Sequence, residues 1–405
     1  MRENAEWTEA RDLLLELVCP VGTEKLPPEE TGGRVLARDL LAMDAVPPFD
    51  RSAYDGYAFR AEDTASASKG APVTLRVTET VPAGKMPTRP VLTGEAARVM
   101  TGAPIPEGAD CVINYESTVF TETEVTLFAP GKAGANIVRR GEDVKEGTLL
   151  APAGIVTDAA LAGTAASQGF TRIEVFRRVR VGLISTGREI AEAGEPLRPG
   201  QIRNANRASF TALLGSLDCD VSYFGIAGDD TEEISRRIRE GLDACDMVIL
   251  TGGVSVGEWD RTPAAMESAG ARLVLRGVRM KPGMACAYGF TGDRPVLGLS
   301  GNPVSAVTNF CACVLPALRK MQGRRDCLPE YFSTALEQGF PKKSPSTRFL
   351  HGKILYRDGE VRFLPSGYQG NVMLHGLAGC DAYAVIPSGS GPLESGTVLQ
   401  CWITG

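Results

Sequence analysis

Four segments of the chain set glycine, hydroxyl and carboxylate groups directly after short apolar runs. They are Ser185-Thr186-Gly187-Arg188-Glu189, Gly228-Asp229-Asp230, the run from Thr251 to Asp260, and Ser300-Gly301-Asn302-Pro303. Paired glycines such as Gly252-Gly253 let backbone N–H groups approach an anion closely, although a tight turn explains them equally. Neither G-x-x-x-x-G-K-[ST] nor G-x-G-x-x-G occurs. Pro303 suits the first turn of a helix, and the residues before it would present N–H groups to an anion; an ordinary helix cap accounts for the same pattern. Glu189, Asp229 and Asp260 could hold a hard cation such as Mg²⁺ beside a phosphate, and N-capping is the competing role for Asp229 and Asp230. Lys281-Pro282-Gly283 adds a cation before a turn.

The surrounding pattern shows what would position these groups. Val181–Ile184, Val221–Ile226, Asp246–Leu250 and Val296–Leu299 read as buried strands. Helical stretches at 206–217, 231–242 and 303–320 alternate with them, which predicts a parallel sheet covered on both faces. Ligands of such sheets bind beyond the carboxyl ends of the strands, where all four segments fall. A helix is also expected over 8–19 and a packed Ala-rich helix over 156–168. Short alternating runs at 73–77 and 124–128 predict a small β domain, and strands with turns return after about Cys327.

A second polar set lies outside the sheet domain: the stretch from Pro47 to Ala58, Met100-Thr101-Gly102-Ala103-Pro104, and the stretch from Arg139 to Val144. Taken singly, each is a loop with a binding role open to it. Composition narrows the classes. Among 405 residues, 43 Lys+Arg stand against 49 Asp+Glu, a net charge of −6, which argues against a nucleic-acid-coating protein. The two histidines, His351 and His375, exclude an H-E-x-x-H metal motif and leave a Ser-His-Asp triad only if the tail supplies its base. The ten cysteines are scattered without C-x-x-C, and neither a secretory leader nor an 18-residue apolar run is visible. The chain is expected to be cytoplasmic, with reduced thiols and no membrane contact.

Taken together, the segments resemble the molybdopterin molybdenumtransferases, the family of bacterial MoeA and the E domain of animal gephyrin. The resemblance rests on Asp50-x-Ser52-x-x-Asp55-Gly56-Tyr57-Ala58, Met100-Thr101-Gly102-Ala103-Pro104 and Gly141-Glu142-Asp143. It continues through Ile184-Ser185-Thr186-Gly187-x-Glu189, Gly252-Gly253-Val254-Ser255-Val256-Gly257-x-x-Asp260, Lys281-Pro282-Gly283 and Gly301-Asn302-Pro303-Val304-Ser305-Ala306, in that order. It implies a multidomain α/β plus β fold: a discontinuous, elongated N-terminal arm (residues 1–45 and 145–176), a small β-rich domain (46–144), a central three-layer α/β molybdopterin-binding domain (177–326) and a C-terminal β-barrel (327–405). It also implies a homodimer in which the arm of one subunit faces the α/β domain of the other.

The reaction implied is insertion of molybdenum from molybdate into adenylated molybdopterin, with Mg²⁺-dependent hydrolysis of the adenylate and release of AMP. A molybdopterin adenylyltransferase would be the substrate donor. Carried over residue by residue, the catalytic set is Asp55, Thr101, Asp143, Glu189, Asp229 and Asp260, with Glu189, Asp229 and Asp260 offered to the metal. Substrate binding falls to Ser52, Arg139, Arg140, Thr186, Gly252, Gly253, Ser255, Lys281, Gly301, Asn302 and Pro303.

The chain departs from the family pattern in places. Met284-Ala285 replaces Lys-Pro after Lys281-Pro282-Gly283, Arg188 replaces an Asp, Ser300 replaces a Pro, and Asn371 replaces a Ser in the tail motif. Gly277 stands where a basic residue is common, with Arg276 and Arg279 close by. The missing lysine points to an altered molybdate or tungstate subsite. Competing readings are an adenylyltransferase, which would not need the arm and tail, and a non-catalytic scaffold, which would not need six polar groups at loop ends. Cys311 and Cys313 are expected to be structural.

Overall fold

The computed structural model describes residues 1–254, 261–357 and 359–404. The chain divides into two units: Met1–Arg38, Ala153–Ala159 and Arg172–Gly405 form the first, and Asp39–Pro152 with Ala160–Thr171 the second.

The first unit is built on a sheet whose strands Cys219–Ala227, Val179–Thr186, Met247–Thr251 and Arg294–Leu299 run parallel in that spatial order. Successive side chains of a strand point to opposite faces. Val181, Leu183, Met247 and Ile249 accordingly pack under Leu14, Phe210 and Leu318 on one face. Ile184, Val248 and Leu250 pack under Ile234, Ile238 and Met266 on the other. The result is the expected three-layer arrangement. The sheet is not wholly parallel, however. Cys286–Thr291 joins Arg294–Leu299 antiparallel, Arg272–Lys281 adds antiparallel to that, and Arg2–Glu6 pairs parallel with Arg272–Lys281.

The helices expected over 8–19, 206–217 and 231–242 occupy Trp7–Leu17, Ala205–Ser216 and Thr231–Ala244. The expected 303–320 helix is three segments, with a π-helical turn at Phe310–Val314 between Pro303–Asn309 and Leu315–Met321. Cys311 and Cys313 are buried in that turn, and burial pushes the Cys311 thiol up to about 12. They are poor nucleophiles there.

Beyond residue 331, Phe332–Leu336, Thr347–Arg357, Glu360–Pro365, Ala382–Ile386 and Val398–Ile403 close into a small barrel. Its interior is filled by Leu336, Leu350, Phe363 and Ala384. Thr347 and Arg348 also pair with Met280 and Lys281, so the barrel continues the large sheet.

The second unit holds a six-stranded sheet in the order Cys111–Asn114, Gly56–Phe59, Glu95–Val99, Val73–Val81, Glu124–Leu127, Thr118–Phe120. Both faces are covered: Tyr57 and Phe59 join one buried cluster and Ala58 the other. The Ala-rich helix is shorter than expected, Ala159–Ser167, and of its residues only Ala165 is buried. Alanine forms helix without needing a buried face, so composition misled on packing.

Candidate active site

At the carboxyl ends of the parallel strands, the loops after Val179–Thr186, Met247–Thr251 and Arg294–Leu299 line a cavity of about 250 Å³ together with Asn204 and Asn206, whereas the expected Gly228-Asp229-Asp230 loop contributes nothing to its wall. Thr186, Glu189, Gly252, Gly253, Gly301 and Asn302, all expected at the site, line it. The glycines are needed for packing. Gly252 has φ +109 and Gly253 φ +62; an added Cβ would lie 2.6 Å from Thr186 Oγ1 and from Thr262 Oγ1 respectively. The Gly252 N–H donates to Leu299 O at 2.9 Å, so that amide is not offered to an anion, contrary to the reading of the sequence. Thr262 Oγ1 donates to Gly252 O at 2.9 Å and fixes the loop from its far side. The Glu189 carboxylate folds over Gly187, whose φ of +129 and lack of a side chain leave room for it.

Sequence reasoning missed Asn204 and Asn206 as wall residues. Asn204 caps the Ala205–Ser216 helix by accepting from the Arg207 N–H at 3.1 Å. Its Nδ2 also reaches the hydroxyls of Ser185 and Tyr223, each at 3.0 Å. Tyr223 in turn donates to Glu192 at 2.6 Å, and the Arg207 guanidinium lies 4.3 Å from the Tyr223 ring centre while bonding Glu192 at 2.8 Å. Burial and the bond to Glu192 push the Tyr223 hydroxyl up to about 12. Burial works against ionised Glu192, but its bonds from Tyr223 and Arg207 hold it below the usual carboxylate range. Asn206 Nδ2 donates to Gly301 O at 2.8 Å. The signal was present as Asn204-Ala205-Asn206 before a helix, but a cap alone explained it.

The start of the Pro303–Asn309 helix is partly engaged already. The Asn302 N–H meets Ser300 Oγ at 3.2 Å, and the Val304 N–H donates to Asn371 O of the tail motif at 3.2 Å. Pro303 begins that helix but is not on the cavity wall, and Lys281 is exposed at the end of its strand, also off the wall. Asp229 forms an ion pair with Arg188 at 3.3 Å. Among the described residues no three His, Cys, Asp or Glu groups are gathered as for a metal; Ser255 and Asp260 lie outside the described residues.

A second cavity, of about 400 Å³, shares Val254 and Ala285 with the first. Arg276, Asn4, Gly277 and Met284 line it. Of the two arginines near Gly277, Arg276 faces this cavity, while Arg279 pairs with Glu6 at 3.0 Å. Gly277 has φ +74 and stands where a Cβ would be 2.6 Å from Asn4 Oδ1, so a basic side chain there would strain the backbone and displace Asn4. Met284 is 61% exposed.

The remaining expected residues belong to the second unit. Asp55 Oδ1 accepts from the Thr101 N–H at 2.6 Å and the Thr101 hydroxyl at 2.7 Å, and these bonds hold its carboxyl below the usual range. The Thr101 proton is therefore committed to Asp55 and not to an oxyanion. Asp50 accepts from the Arg140 N–H at 2.8 Å and Arg139 at 2.6 Å. Ser52 is buried and donates to Tyr54 O at 2.5 Å, as a turn former. Asp143 is exposed, its N–H bonded to Val46 O at 3.0 Å. Gly56 must be glycine, because a Cβ would meet Ile113 O at 1.9 Å.

Comparison with known proteins bears directly on this arrangement. Residues 5–169 match the MoeA N-terminal region (domain I and II), 182–320 the probable molybdopterin binding domain, and 334–403 the MoeA C-terminal region (domain IV). The molybdopterin molybdenumtransferase of Bacillus subtilis is 34% identical over 382 residues, covering 93% of this chain and 89% of that protein. The chain belongs to the molybdopterin molybdenumtransferase (MoeA) family. The Staphylococcus epidermidis member is 32% identical over 376 residues, 93% of this chain and 90% of that protein. The crystal structure of the MoeA protein of Pyrococcus horikoshii superimposes with a TM-score of 0.87 at 30% identity, covering 99% of both chains. As a MoeA family member the chain belongs to molybdenum cofactor biosynthesis. No helix among the described residues is long and apolar enough to cross a membrane.

Proposed function

We propose that this MoeA family protein transfers molybdenum from molybdate to adenylated molybdopterin in the cytoplasm, hydrolysing the adenylate and releasing AMP. The observation that carries the reading is the pair of adjoining cavities, the first at the carboxyl ends of the parallel strands and the second beside Arg2–Glu6 and Arg272–Lys281. The first is lined by amides, hydroxyls and one carboxylate, which suits a heterocycle rich in ring N–H and carbonyl groups. The second brings Arg276 to an oxyanion, where a guanidinium gives charge-assisted bonds.

The donor set at the first cavity fits Mg²⁺, which is commonly held by one or two carboxylates together with substrate phosphates. Glu189, the wall's one carboxylate, would hold it together with the substrate phosphates, with Asp229, off the wall, and Asp260 proposed as further ligands; bound there, it would polarise a phosphoryl oxygen. Asn204 fixes the Ser185 hydroxyl and Asn206 the Gly301 carbonyl on the wall that would face the ring, and the Gly252-Gly253 turn lets the backbone come close to it. We further place Asp55, Thr101 and Asp143 at the site of a second subunit in a homodimer, with a molybdopterin adenylyltransferase supplying the substrate. Mixed dimers of Asp55→Asn and Glu189→Gln chains test that placement: one restored site per dimer supports it, and fully inactive mixtures reject it.

The deciding experiment measures AMP release from adenylated molybdopterin with Mg²⁺, in the presence of molybdate, tungstate or neither. Release that depends on the oxyanion supports the transferase. Tight binding with no release under any condition leaves a scaffold. Release preferring tungstate assigns the altered subsite around Met284 to that anion.

A further inference from the structure

A third cavity of the first unit, of about 300 Å³, lies at the amino ends of the strands, where Arg177-Arg178 enter Val179–Thr186 and Asp218 enters Cys219–Ala227. Its wall carries five guanidinium groups, from Arg34, Arg177, Arg178, Arg319 and Arg324. Four of them have carboxylates. Arg34 and Arg178 share Asp218 at 3.2 and 2.6 Å, Arg177 grips Asp246 with two bonds of 2.6 and 2.7 Å, and Arg324 reaches Asp326 at 2.7 Å.

Arg319 is different. Its Nε is buried and has no hydrogen-bond partner among the described residues. Burial and the neighbouring Arg324 charge both act against its ionised form. Arg319 as a whole is half-buried; its buried N–H without an acceptor is costly, and arginine stays charged regardless.

Helix-end carbonyls do not account for the cluster. The Leu315–Met321 helix closes through Gly323 at φ +79, with the Gly323 and Arg324 N–H groups donating to Lys320 O and Arg319 O, the usual glycine cap. The wall is also rigidly set. A Cβ on Gly323 would come within 2.2 Å of the Phe176 ring, and Arg34, 6% exposed, donates to Phe176 O at 2.8 Å. A wider hollow of about 590 Å³ adjoins through the shared Arg34, Arg177 and Arg178, and adds Arg180.

We propose that this cavity binds the phosphoryl group of a small phosphorylated molecule, with Arg319 as its anchor. Asp218 and Asp246 are each shared by two arginines, and Asp326, exposed and bonded to Arg324, acts on Arg319 through its charge without a bond to the Nε, so the acceptor that the Arg319 Nε lacks comes from outside. A phosphoryl group brings two negative charges and three acceptor oxygens, enough for Arg319 and its neighbours at once. The inference stands apart from the reading of the cleft, which lies at the other ends of the same strands.

The test titrates the full chain with inorganic phosphate, inorganic pyrophosphate and AMP, following calorimetric affinity and melting temperature. Wild type, Arg319→Met and Arg276→Met are compared, the last removing the cation of the cleft's second cavity. Arg319→Met is expected to weaken pyrophosphate binding roughly tenfold or more, while keeping or raising the anion-free melting temperature. Arg276→Met is expected to retain the response. A response to all three probes assigns recognition to the phosphoryl group alone, and a response to AMP only assigns it to a phosphomonoester. An unchanged response in Arg319→Met, its loss in Arg276→Met, or no response in wild type overturns the proposal. A fall in anion-free stability with binding intact also overturns it, since Arg319 would then be a packing residue. Should Arg319→Met not fold, Arg178→Gln on the same wall is expected to weaken pyrophosphate binding instead, and an unchanged affinity there rejects the site.

Discussion

Asn204 Nδ2 stands 3.0 Å from the Ser185 hydroxyl, joining the helix that begins beside it to the strand that ends at the cavity. One carboxamide thus caps a helix, fixes a cavity hydroxyl and touches Tyr223. Asn204→Ala is expected to cost about 1–3 kcal/mol of stability, from the lost cap and the orphaned hydroxyls. It should also raise the KM for adenylated molybdopterin more than it lowers kcat. Denaturant unfolding and steady-state AMP release check the two parts, and an unchanged KM would restrict Asn204 to the cap.

Gly252→Ala is expected to be far worse than its size suggests. The new methyl meets Thr186 O and Oγ1 at 2.6 Å, in a backbone conformation that L residues rarely adopt. The expected loss is about 1–3 kcal/mol, with molybdopterin binding abolished. Native binding by a folded Gly252→Ala protein would show that the loop can be re-routed.

Met284 is exposed at the cavity that carries Arg276. Met284→Lys returns a cation beside the oxyanion subsite. The molybdate concentration for half-maximal AMP release should fall about tenfold at low salt, with the gain shrinking as salt screens the added charge. An equal response at every ionic strength, or none, would place the oxyanion elsewhere.

Asp246 accepts from Arg177, Arg180 and the Arg180 N–H. Burial opposes its charge, yet these bonds hold its carboxyl well below the usual range. The unfolded chain therefore binds this proton first as pH falls. The stabilisation is complete above the unfolded value of about 3.9 and is lost as pH drops toward the depressed native value. Asp246→Asn should cost about 2–4 kcal/mol at neutral pH and flatten the acid limb of the stability curve. An acid limb identical to wild type would contradict this.

His351 is buried, and burial lowers its pKa against the opposing bond to Tyr368 O at 2.7 Å. Here the native state resists the proton that the unfolded chain accepts near pH 6.5. Stability is then full above that pH and declines as pH falls toward the lowered native value. His351→Gln should remove the decline below about pH 6.5, measured by urea unfolding on the acid side of that value.

Much of the fold was legible where a pattern was local. Val181–Ile184 and Met247–Leu250 are continuous apolar runs because both faces of their sheet are covered, and Thr231–Ala244 is amphipathic along its whole length. Arg2–Glu6 was not legible: four of its five residues are polar or charged, and it is a strand only because Arg272–Lys281 lies alongside it. The hairpin of Arg272–Lys281 and Cys286–Thr291 was hidden by Gly277, Pro282 and Gly283, which read as loop. At the site, Thr186, Glu189 and Gly301 follow strands and could be found from that alone. Asn206 acts through Gly301, 95 positions away, and Arg188 pairs with Asp229 across two loops; no local pattern carries such pairings.

The bond from the Val304 N–H to Asn371 O also sets an order of events in the cell. A ribosome adding about 5–20 residues per second releases Val304 several seconds before Asn371. During that interval every strand up to Arg294–Leu299 has been made, yet the helix start beside Gly301-Asn302 lacks one of its fixed contacts. The site is therefore finished late, when the tail arrives, and a message truncated before Asn371 would yield a protein bearing every cleft motif without its completed wall.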